Sequence, residues 1–209
     1  MHPARWLTST AVSSAAWISW APLGLAFGMP VFALAAIIVR VVDRAPFLFL
    51  QERIGLHGQA FTMYKLRTLP VIDARASIQA ERIVHKPTYD TTRTGRFWRV
   101  TSIDEIIQFW NVLKGEMSLI GHRPFPVYYL PHLHRLEGYD QNKVNQYLRV
   151  IYQYKPGMSS LSSVNGRGDL SMQEKFEYDL IYAQRAGFFY DLKLLVQTLY
   201  VVLTRKGAK

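Results

Sequence analysis

Residues 101–124 read TSIDEIIQFWNVLKGEMSLIGHRP, and this stretch decides how the rest of the chain is interpreted. Ser102 with Glu105 fits the S/T-x-x-E capping box that marks the start of a helix. The apolar residues that follow have the spacing of one buried helical face: Ile103, Ile106, Ile107, Trp110 and Leu113. We therefore predict a capped helix that ends at Gly115.

Two carboxylates, Asp104 and Glu105, fall in the first turn, where a helix has unpaired N–H groups and partial positive charge. An ordinary capping role is one interpretation, because acidic residues are common there. The other gives weight to Arg99 before the helix and Arg123 after it. A pair of carboxylates flanked by arginines suits chemistry on a phosphorylated substrate. We expect the Asp104 pKa to be low in such a turn.

The same 24 residues resemble the core of the bacterial sugar transferases. These are small monotopic phosphoglycosyl transferases, which load a sugar phosphate onto a polyprenyl phosphate. Their pattern reads roughly T-S-hydrophobic-D-E-hydrophobic-P-Q-hydrophobic-x-N-V-hydrophobic-x-G-D/E-M-S-hydrophobic-V/I-G-P-R-P. Ile107 and His122 depart from it, each standing where the family has proline. The resemblance implies that Asp104 is the nucleophile, that Glu105 is a metal ligand and that the metal is Mg²⁺.

Composition sets wider bounds on the function. The chain has 209 residues, enough for one domain with a core, and a net charge of +10. That charge favours an anionic partner, and nucleic acid, acidic lipid head groups and phosphorylated substrates all qualify. The absence of cysteine excludes a disulfide scaffold and cysteine-ligated zinc.

No charged residue occurs between Arg5 and Arg40. A straight membrane span is one interpretation of this segment. Proline inside a helix kinks it, and positive charge at both ends favours a helix that enters and leaves by the cytoplasmic face. The resemblance implies a re-entrant helix broken at a Ser-Pro pair, which is Met29-Pro30 in this chain. We therefore predict a break at Pro30.

Residues 46–69, PFLFLQERIGLHGQAFTMYKLRTL, read as two extended runs around a turn between Gly55 and Gly58, a β-hairpin. Lys65 and Arg67 would point to one side of the second strand. A solvated basic edge is one interpretation of this pair. The resemblance extends to these residues and implies that both cations face substrate phosphate beside the site.

Arginines recur at positions 93, 96 and 99, a pattern also found in nucleic-acid patches. The run leads into the Asp104 helix, which favours binding of a nucleotide phosphate or lipid head groups instead. Residues 154–169 resemble a further family motif, in which Arg167 faces the active site. A simple ion pair of Arg167 with Asp169 is the alternative. Ser160 and Ser163 stand where this motif has glycine and glutamine.

Near the C-terminus, Ser171 and Glu174 predict a second capping box. Residues 188–203 form a strongly apolar helix that is short for a membrane span, so we expect it to lie in the membrane interface. The weakly patterned residues 71–90 are expected to be a helical excursion or loop.

These observations predict an α-rich α+β fold: a monotopic membrane protein with a re-entrant, proline-kinked helix, a small β-hairpin and interfacial amphipathic helices. Residues 1–45 form the membrane segment, and residues 46–209 form the catalytic domain on the cytoplasmic face of a bacterial inner membrane. The sugar and the oligomeric state, including a homo-oligomer, are left open.

The resemblance implies transfer of a sugar 1-phosphate from a nucleotide sugar, expected to be a UDP-sugar, to a polyprenyl phosphate. Such a reaction starts glycoconjugate or exopolysaccharide assembly and passes through a phosphosugar-aspartate intermediate. The expected partners are the nucleotide sugar, the polyprenyl phosphate and membrane lipids, without nucleic acid. The alternatives are a membrane-attached homologue that binds these ligands without turnover, and a basic nucleic-acid-binding protein.

Overall fold

The computed structural model describes residues 17–71, 91–128, 141–166 and 169–205. Its helices are α1 (Ala21–Ile38), α2 (Gly95–Thr101), α3 (Phe109–Leu113), α4 (Gln141–Ile151), α5 (Leu161–Asn165), α6 (Met172–Arg185) and α7 (Phe188–Thr204). Its strands are β1 (Leu48–Ile54), β2 (Ala60–Leu66), β3 (Ser118–Ile120) and β4 (Gly157–Ser159). The predicted helix-rich fold with a small hairpin is confirmed. Most of the predicted excursion at 71–90, and Arg167, lie outside the described residues.

The hairpin forms where the two extended runs were predicted. Strands β1 and β2 pair antiparallel, with Leu48 opposite Leu66 and Ile54 opposite Ala60. A short 3₁₀ turn, Leu56–Gly58, joins them. Gly58 has a φ of 76°, a left-handed conformation that favours glycine. The β2 side chains that point inward join the core, so the hairpin is fixed on one face.

The apolar N-terminal segment forms one helix, with Pro30 inside α1. The helical assignment continues past Ile38 as a π-helical turn, Val39–Asp43. The chain is helical on both sides of the proline, and the predicted kink at Pro30 stays a prediction. Among the described residues, Ala21–Asp43 is one helix long and apolar enough to cross a membrane. At 1.5 Å per residue it measures about 35 Å.

Two glycines let α1 approach the stretch that carries the carboxylates. A Cβ added to Gly24 would lie 2.4 Å from the Phe109 ring, and one added to Gly28 would lie 2.5 Å from the Ile106 side chain. Both distances are shorter than any normal carbon–carbon contact. Because neither glycine has a side chain, the apolar helix can lie this close to the candidate site.

The stretch at 101–124 is helical, but its start differs from the prediction. Ser102 adopts a left-handed conformation with a φ of 58° and makes no side-chain cap, so the predicted capping box is wrong. A 3₁₀-helix, Ile103–Gln108, follows it and leads into α3.

The burial of this helix matches the prediction only in part. The three isoleucines of the predicted face pack against a buried core cluster. Trp110 and Leu113 are 45% and 38% exposed, whereas Asp104, Gln108 and Asn111 are buried. The polar side turns inward because it has partners there. Asn111 donates from Nδ2 to the Thr62 carbonyl at 2.7 Å and accepts the Tyr64 N–H at 3.2 Å. Asn111 thereby fastens the helix to β2.

A second, parallel strand pair was not predicted. Ser118 of β3 pairs with Gly157 of β4, and Ile120 pairs with Ser159. A Cβ on Gly157 would lie 2.1 Å from the Gly121 nitrogen, so the approach of the two backbones requires glycine at this position. The pairing brings the Arg123 turn next to α5. Three-residue strands are too short to show a period in sequence.

The C-terminal helices form as predicted. Ser171 and Glu174 make the reciprocal capping box of α6. In α7, Asp191 interrupts the apolar pattern, and its buried carboxylate accepts hydrogen bonds from two other parts of the chain. It accepts hydrogen bonds from the Tyr182 hydroxyl at 2.9 Å and from the Trp17 indole at 3.3 Å. One side chain therefore ties α7 to α6 and to the residues that precede α1.

The contact at Gly28 gives a stability prediction. We expect Gly28→Leu to lower the free energy of unfolding by about 1–3 kcal/mol, because the added side chain overpacks against Ile106. Ala26→Leu, on the exposed side of the same helix, is the matched control and should change little. Thermal unfolding in detergent measures both. Equal melting temperatures for the two variants would contradict the close approach.

Candidate active site

A cavity of about 500 Å³ opens between the hairpin, the 3₁₀-helix, α5 and α7. It brings together most of the site residues predicted from sequence: Lys65, Arg99, Asp104, Glu105 and Arg123. Apolar lining residues come from α5 and α7, including Val164, Val201 and Val202, and also from the hairpin. The cavity therefore offers both charged groups and apolar surface.

An ion pair joins the two elements that carry the charged groups. Lys65 of β2 lies with its Nζ 2.7 Å from the Oε1 of Glu105 in the 3₁₀-helix. Both side chains are partly exposed to the cavity. Lys65 thus reaches the site as predicted, and in this structure its contact is the carboxylate of Glu105. The pair fixes the position of Glu105 at the mouth of the cavity.

Asp104 is buried, with 7% of its surface exposed. Burial, followed by the neighbouring charge of Glu105, raises the pKa of Asp104 to about 7, although Lys65 and Arg99 act in the opposite direction. The expectation of a low pKa is therefore wrong for the chain alone. That expectation underestimated the loss of hydration on burial. This loss raises the pKa more than the partial positive charge of a helix start lowers it.

The arginines predicted for the site differ in where they lie. Arg99 lines the cavity and donates from Nε to the Thr68 hydroxyl at 3.1 Å. Arg67 is not among the lining residues. Its guanidinium donates to the carbonyls of Pro46 and Leu48, at 2.9 and 3.1 Å, which braces the start of β1. Arg67 is therefore separated from Lys65, although the strand alternation was right.

Arg123 extends its exposed side chain into the cavity from the turn after β3. His122 next to it is buried, and its ring nitrogens lie 3.1 Å from the Arg123 carbonyl and 3.3 Å from the Tyr154 carbonyl. Burial lowers the pKa of His122 to about 4, so the imidazole is neutral at pH 7. His122 packs beneath the turn and does not face the cavity.

Asp179 of α6 supports the same turn and was not singled out for a functional role from the sequence. It is fully buried, and it accepts the Tyr147 hydroxyl at 3.0 Å and the Arg123 backbone N–H at 3.4 Å. Burial raises the pKa of Asp179 to about 7. The only signal in the sequence was an acidic residue beside the apolar face of a predicted helix.

The donor set of the site fits a magnesium ion. Mg²⁺ prefers oxygen ligands and is commonly held by one or two carboxylates together with substrate phosphates and water. Asp104 and Glu105 supply two adjacent carboxylates, and their mutual repulsion is part of what raises the Asp104 pKa. The described residues contain no cluster of three or more histidine, aspartate or glutamate side chains placed to hold a metal. A complete site would therefore need oxygens from a substrate.

Comparison with known proteins supports the resemblance. The bacterial sugar transferase family model matches residues 9–205, and the chain belongs to that family. It is 37% identical to EpsL of Bacillus subtilis, an uncharacterized sugar transferase, over 171 residues, covering 81% of this chain and 76% of EpsL. Membership of this family confirms the prediction that the chain is a phosphoglycosyl transferase.

Other relatives are longer proteins. The chain is 35% identical to the galactosyl transferase CpsE of Streptococcus agalactiae, covering 80% of this chain and 37% of CpsE. It is 31% identical to a UDP-glucose:undecaprenyl-phosphate glucose-1-phosphate transferase of Klebsiella pneumoniae, covering 86% of this chain and 37% of that protein. The chain thus spans little more than a third of these two relatives.

The raised pKa of Asp179 gives a pH prediction. The folded protein binds the Asp179 proton more tightly than the unfolded chain, whose carboxyl has a pKa of about 3.9. The free energy of unfolding should therefore fall as the pH rises from about 4 to about 7. Asp179→Asn cannot titrate, so the stability of the wild type relative to this variant should decrease across that range. Thermal unfolding of both proteins at several pH values measures the difference. A difference that is constant with pH would contradict the raised pKa of Asp179.

Proposed function

We propose that this protein transfers a sugar 1-phosphate from a UDP-sugar to a polyprenyl phosphate in two steps. The observation that carries the proposal is the pairing of a buried carboxylate, Asp104, with Glu105 in a cavity also lined by Arg99 and Arg123. The relatives supply the substrate classes, since several are UDP-glucose:undecaprenyl-phosphate glucose-1-phosphate transferases.

In the first step, a carboxylate oxygen of Asp104 attacks the phosphorus that carries the sugar. The bond from this phosphorus to the bridging oxygen breaks, and UMP leaves with the electron pair. The product is an acyl phosphate that joins the sugar phosphate to Asp104. The guanidinium groups of Arg99 and Arg123 face the cavity, where they can neutralise the phosphate charges that would otherwise repel the nucleophile.

In the second step, a phosphate oxygen of the polyprenyl phosphate attacks the same phosphorus. The acyl–phosphate bond breaks, the Asp104 carboxylate is regenerated, and the sugar leaves on a polyprenyl diphosphate. The apolar wall from α5 and α7 adjoins the charged groups, which suits an acceptor with a phosphate head and a hydrocarbon chain. The same cavity would then serve both steps of the reaction.

We propose Glu105, assisted by Asp104, as the holder of Mg²⁺. When bound, the ion would neutralise phosphate charge and favour the ionised form of Asp104. Lys65 keeps Glu105 beside the nucleophile through the ion pair at 2.7 Å. Asp104 must lose its proton before it attacks, and its raised pKa makes a nearby cation important for that.

We further propose that the protein lies on the cytoplasmic face of the membrane, with its N-terminal helix re-entrant. The exposed apolar residues support a membrane-facing surface, since α1, α3 and α7 all contribute large ones: Phe27, Leu34, Trp110, Phe189, Val196 and Leu203. Arg40 and Arg44 near the end of the apolar helix match the positive charge expected on the cytoplasmic side.

UMP release tests the proposed reaction. Wild-type protein with Mg²⁺ and polyprenyl phosphate should release UMP from at least one sugar in a panel of UDP-glucose, UDP-galactose and UDP-N-acetylglucosamine. We expect Asp104→Asn to lower the rate by about a thousand-fold or more, since it removes the nucleophile, and Glu105→Gln to lower it as well. Glu177→Gln, at an exposed acid of α6, is the control. Binding of the UDP-sugars without UMP release by the wild type would favour the homologue without turnover.

Cysteine labelling tests the topology, helped by the absence of native cysteine. If the N-terminal segment enters and leaves by one face, a cysteine at Pro3→Cys should react with a membrane-impermeant reagent only when the cytoplasmic side is opened. Glu177→Cys marks the catalytic domain as a control. Labelling of the Pro3→Cys protein from the periplasm alone would show a full span and contradict the re-entrant arrangement.

A further inference from the structure

A small polar chamber lies beside the 3₁₀-helix and shares residues with the large cavity. Its volume is about 20 Å³, which leaves room for about one water-sized group. Gln108 and Ser160 line only the chamber. Six residues line both spaces: Arg53, Lys65, Glu105, Arg123, Met158 and Ser163. The chamber is thus a recess of the candidate active site.

The geometry of the 3₁₀-helix explains why Gln108 reaches this recess. A 3₁₀-helix has three residues per turn, so Ser102, Glu105 and Gln108 lie in one row along its surface. Ser102 and Glu105 line the large cavity, and Glu105 and Gln108 line the chamber. Gln108 therefore lies one turn further in than the predicted metal ligand. An α-helical start, as the sequence predicted, would have turned it about 60° away from that row.

Gln108 is 2% exposed, and its amide Nε2 is buried without an acceptor among the described residues. Burying an amide donor without a hydrogen bond is unfavourable. The inward position of Gln108 is explained if an oxygen of a bound ligand accepts the hydrogen bond.

The groups that face the chamber include cations as well as neutral groups. Lys65 is paired with Glu105 at 2.7 Å, and the guanidinium of Arg53 donates to the Pro124 carbonyl at 2.8 Å. Arg123 also lines the chamber, and the proposed function assigns it to substrate phosphate. Ser160 and Ser163 have their hydroxyl oxygens 2.8 Å apart, and a hydroxyl both donates and accepts. The amide donor of Gln108 beside these hydroxyls suits a substrate hydroxyl next to that phosphate.

Ser163 also decides how much room the chamber has. The family motif that residues 154–169 resemble has glutamine at this position and glycine at position 160. Since Ser163 lines the chamber, a glutamine there would place a longer polar side chain beside a space of about 20 Å³. The serines of this chain leave that space for a group on the substrate.

We propose that Gln108 and Ser163 bind one hydroxyl of the donor sugar and so help to select which UDP-sugar is used. This inference rests on the proposed function, and it names the part of the substrate that the chamber recognises. Gln108 then makes its hydrogen bond only when the correct sugar is present. A sugar without that hydroxyl leaves the amide donor unpaired and is disfavoured.

The test combines three variants with the UDP-sugar that the wild type uses best and with the monodeoxy analogues of that sugar. Gln108→Met removes the donor at similar length, Ser163→Gln fills the chamber, and Gln197→Met at an exposed position of α7 is the control. For the wild type, we expect removal of one particular hydroxyl to lower kcat/KM about tenfold, the size of one hydrogen bond.

The decisive result is the lack of additivity. Gln108→Met should lower kcat/KM about tenfold for the parent sugar and cause no further loss for the analogue that lacks the recognised hydroxyl. Ser163→Gln should behave in the same way, and Gln197→Met should match the wild type. Equal losses of Gln108→Met and Ser163→Gln for the parent and every analogue would overturn the inference, because they would place the effect on phosphate or on the fold.

Unchanged kinetics in both chamber variants would also overturn it. If Gln108→Met does not fold, the Ser163→Gln comparison decides the question alone. Absence of turnover by the wild type with every UDP-sugar would instead overturn the proposed function, and this inference with it. A wild type that turns over a UDP-sugar but tolerates loss of each hydroxyl contradicts only the inference.

Discussion

The ion pair between Lys65 and Glu105 joins the two parts of the molecule that form the site. The hairpin and the 3₁₀-helix are far apart in sequence, and their charged groups meet at 2.7 Å. Asn111 adds neutral hydrogen bonds between the same elements. Asp104 is buried next to Glu105. Without Lys65 to balance the charge of Glu105, the ionised form of Asp104 would be still less favourable. The hairpin therefore contributes the cation that lets two carboxylates lie side by side.

A second constraint comes from the packing of the apolar helix. Gly24 and Gly28 allow α1 to contact the helical stretch two residues from Asp104. The apolar helix and the stretch that carries Asp104 thus share one interface. Trp110 and Leu113 of the same stretch are exposed. On the proposed membrane location, lipid would cover both residues.

The local features of the fold followed from sequence where a short pattern determines them. The hairpin between Gly55 and Gly58 and the capping box of Ser171 and Glu174 are both set by neighbouring residues. The predicted cap at Ser102 was wrong, because this residue has a left-handed backbone conformation and makes no side-chain cap. The parallel pairing of β3 and β4 could not be predicted from sequence. The need for its glycines becomes visible only when the two backbones lie side by side.

For the site, charge and resemblance were enough to find the residues that line the cavity. Lys65, Arg99, Asp104, Glu105 and Arg123 all meet there. Arg67 has the same strand alternation as Lys65, but the carbonyls of Pro46 and Leu48 hold its guanidinium elsewhere. The roles of Asp179 and Gln108 depend on burial, which a single sequence does not reveal. The protonation of Asp104 depends on burial as well, which is why its pKa was predicted in the wrong direction.

The central claim is that Asp104 carries the sugar phosphate between the two steps. Incubation of the wild type with Mg²⁺ and its UDP-sugar, without polyprenyl phosphate, isolates the first step for intact-protein mass spectrometry. The account predicts a mass increase of one sugar phosphate that maps to Asp104, together with UMP release, and neither in Asp104→Asn. An adduct on another residue, or UMP that appears only when polyprenyl phosphate is added, would contradict it.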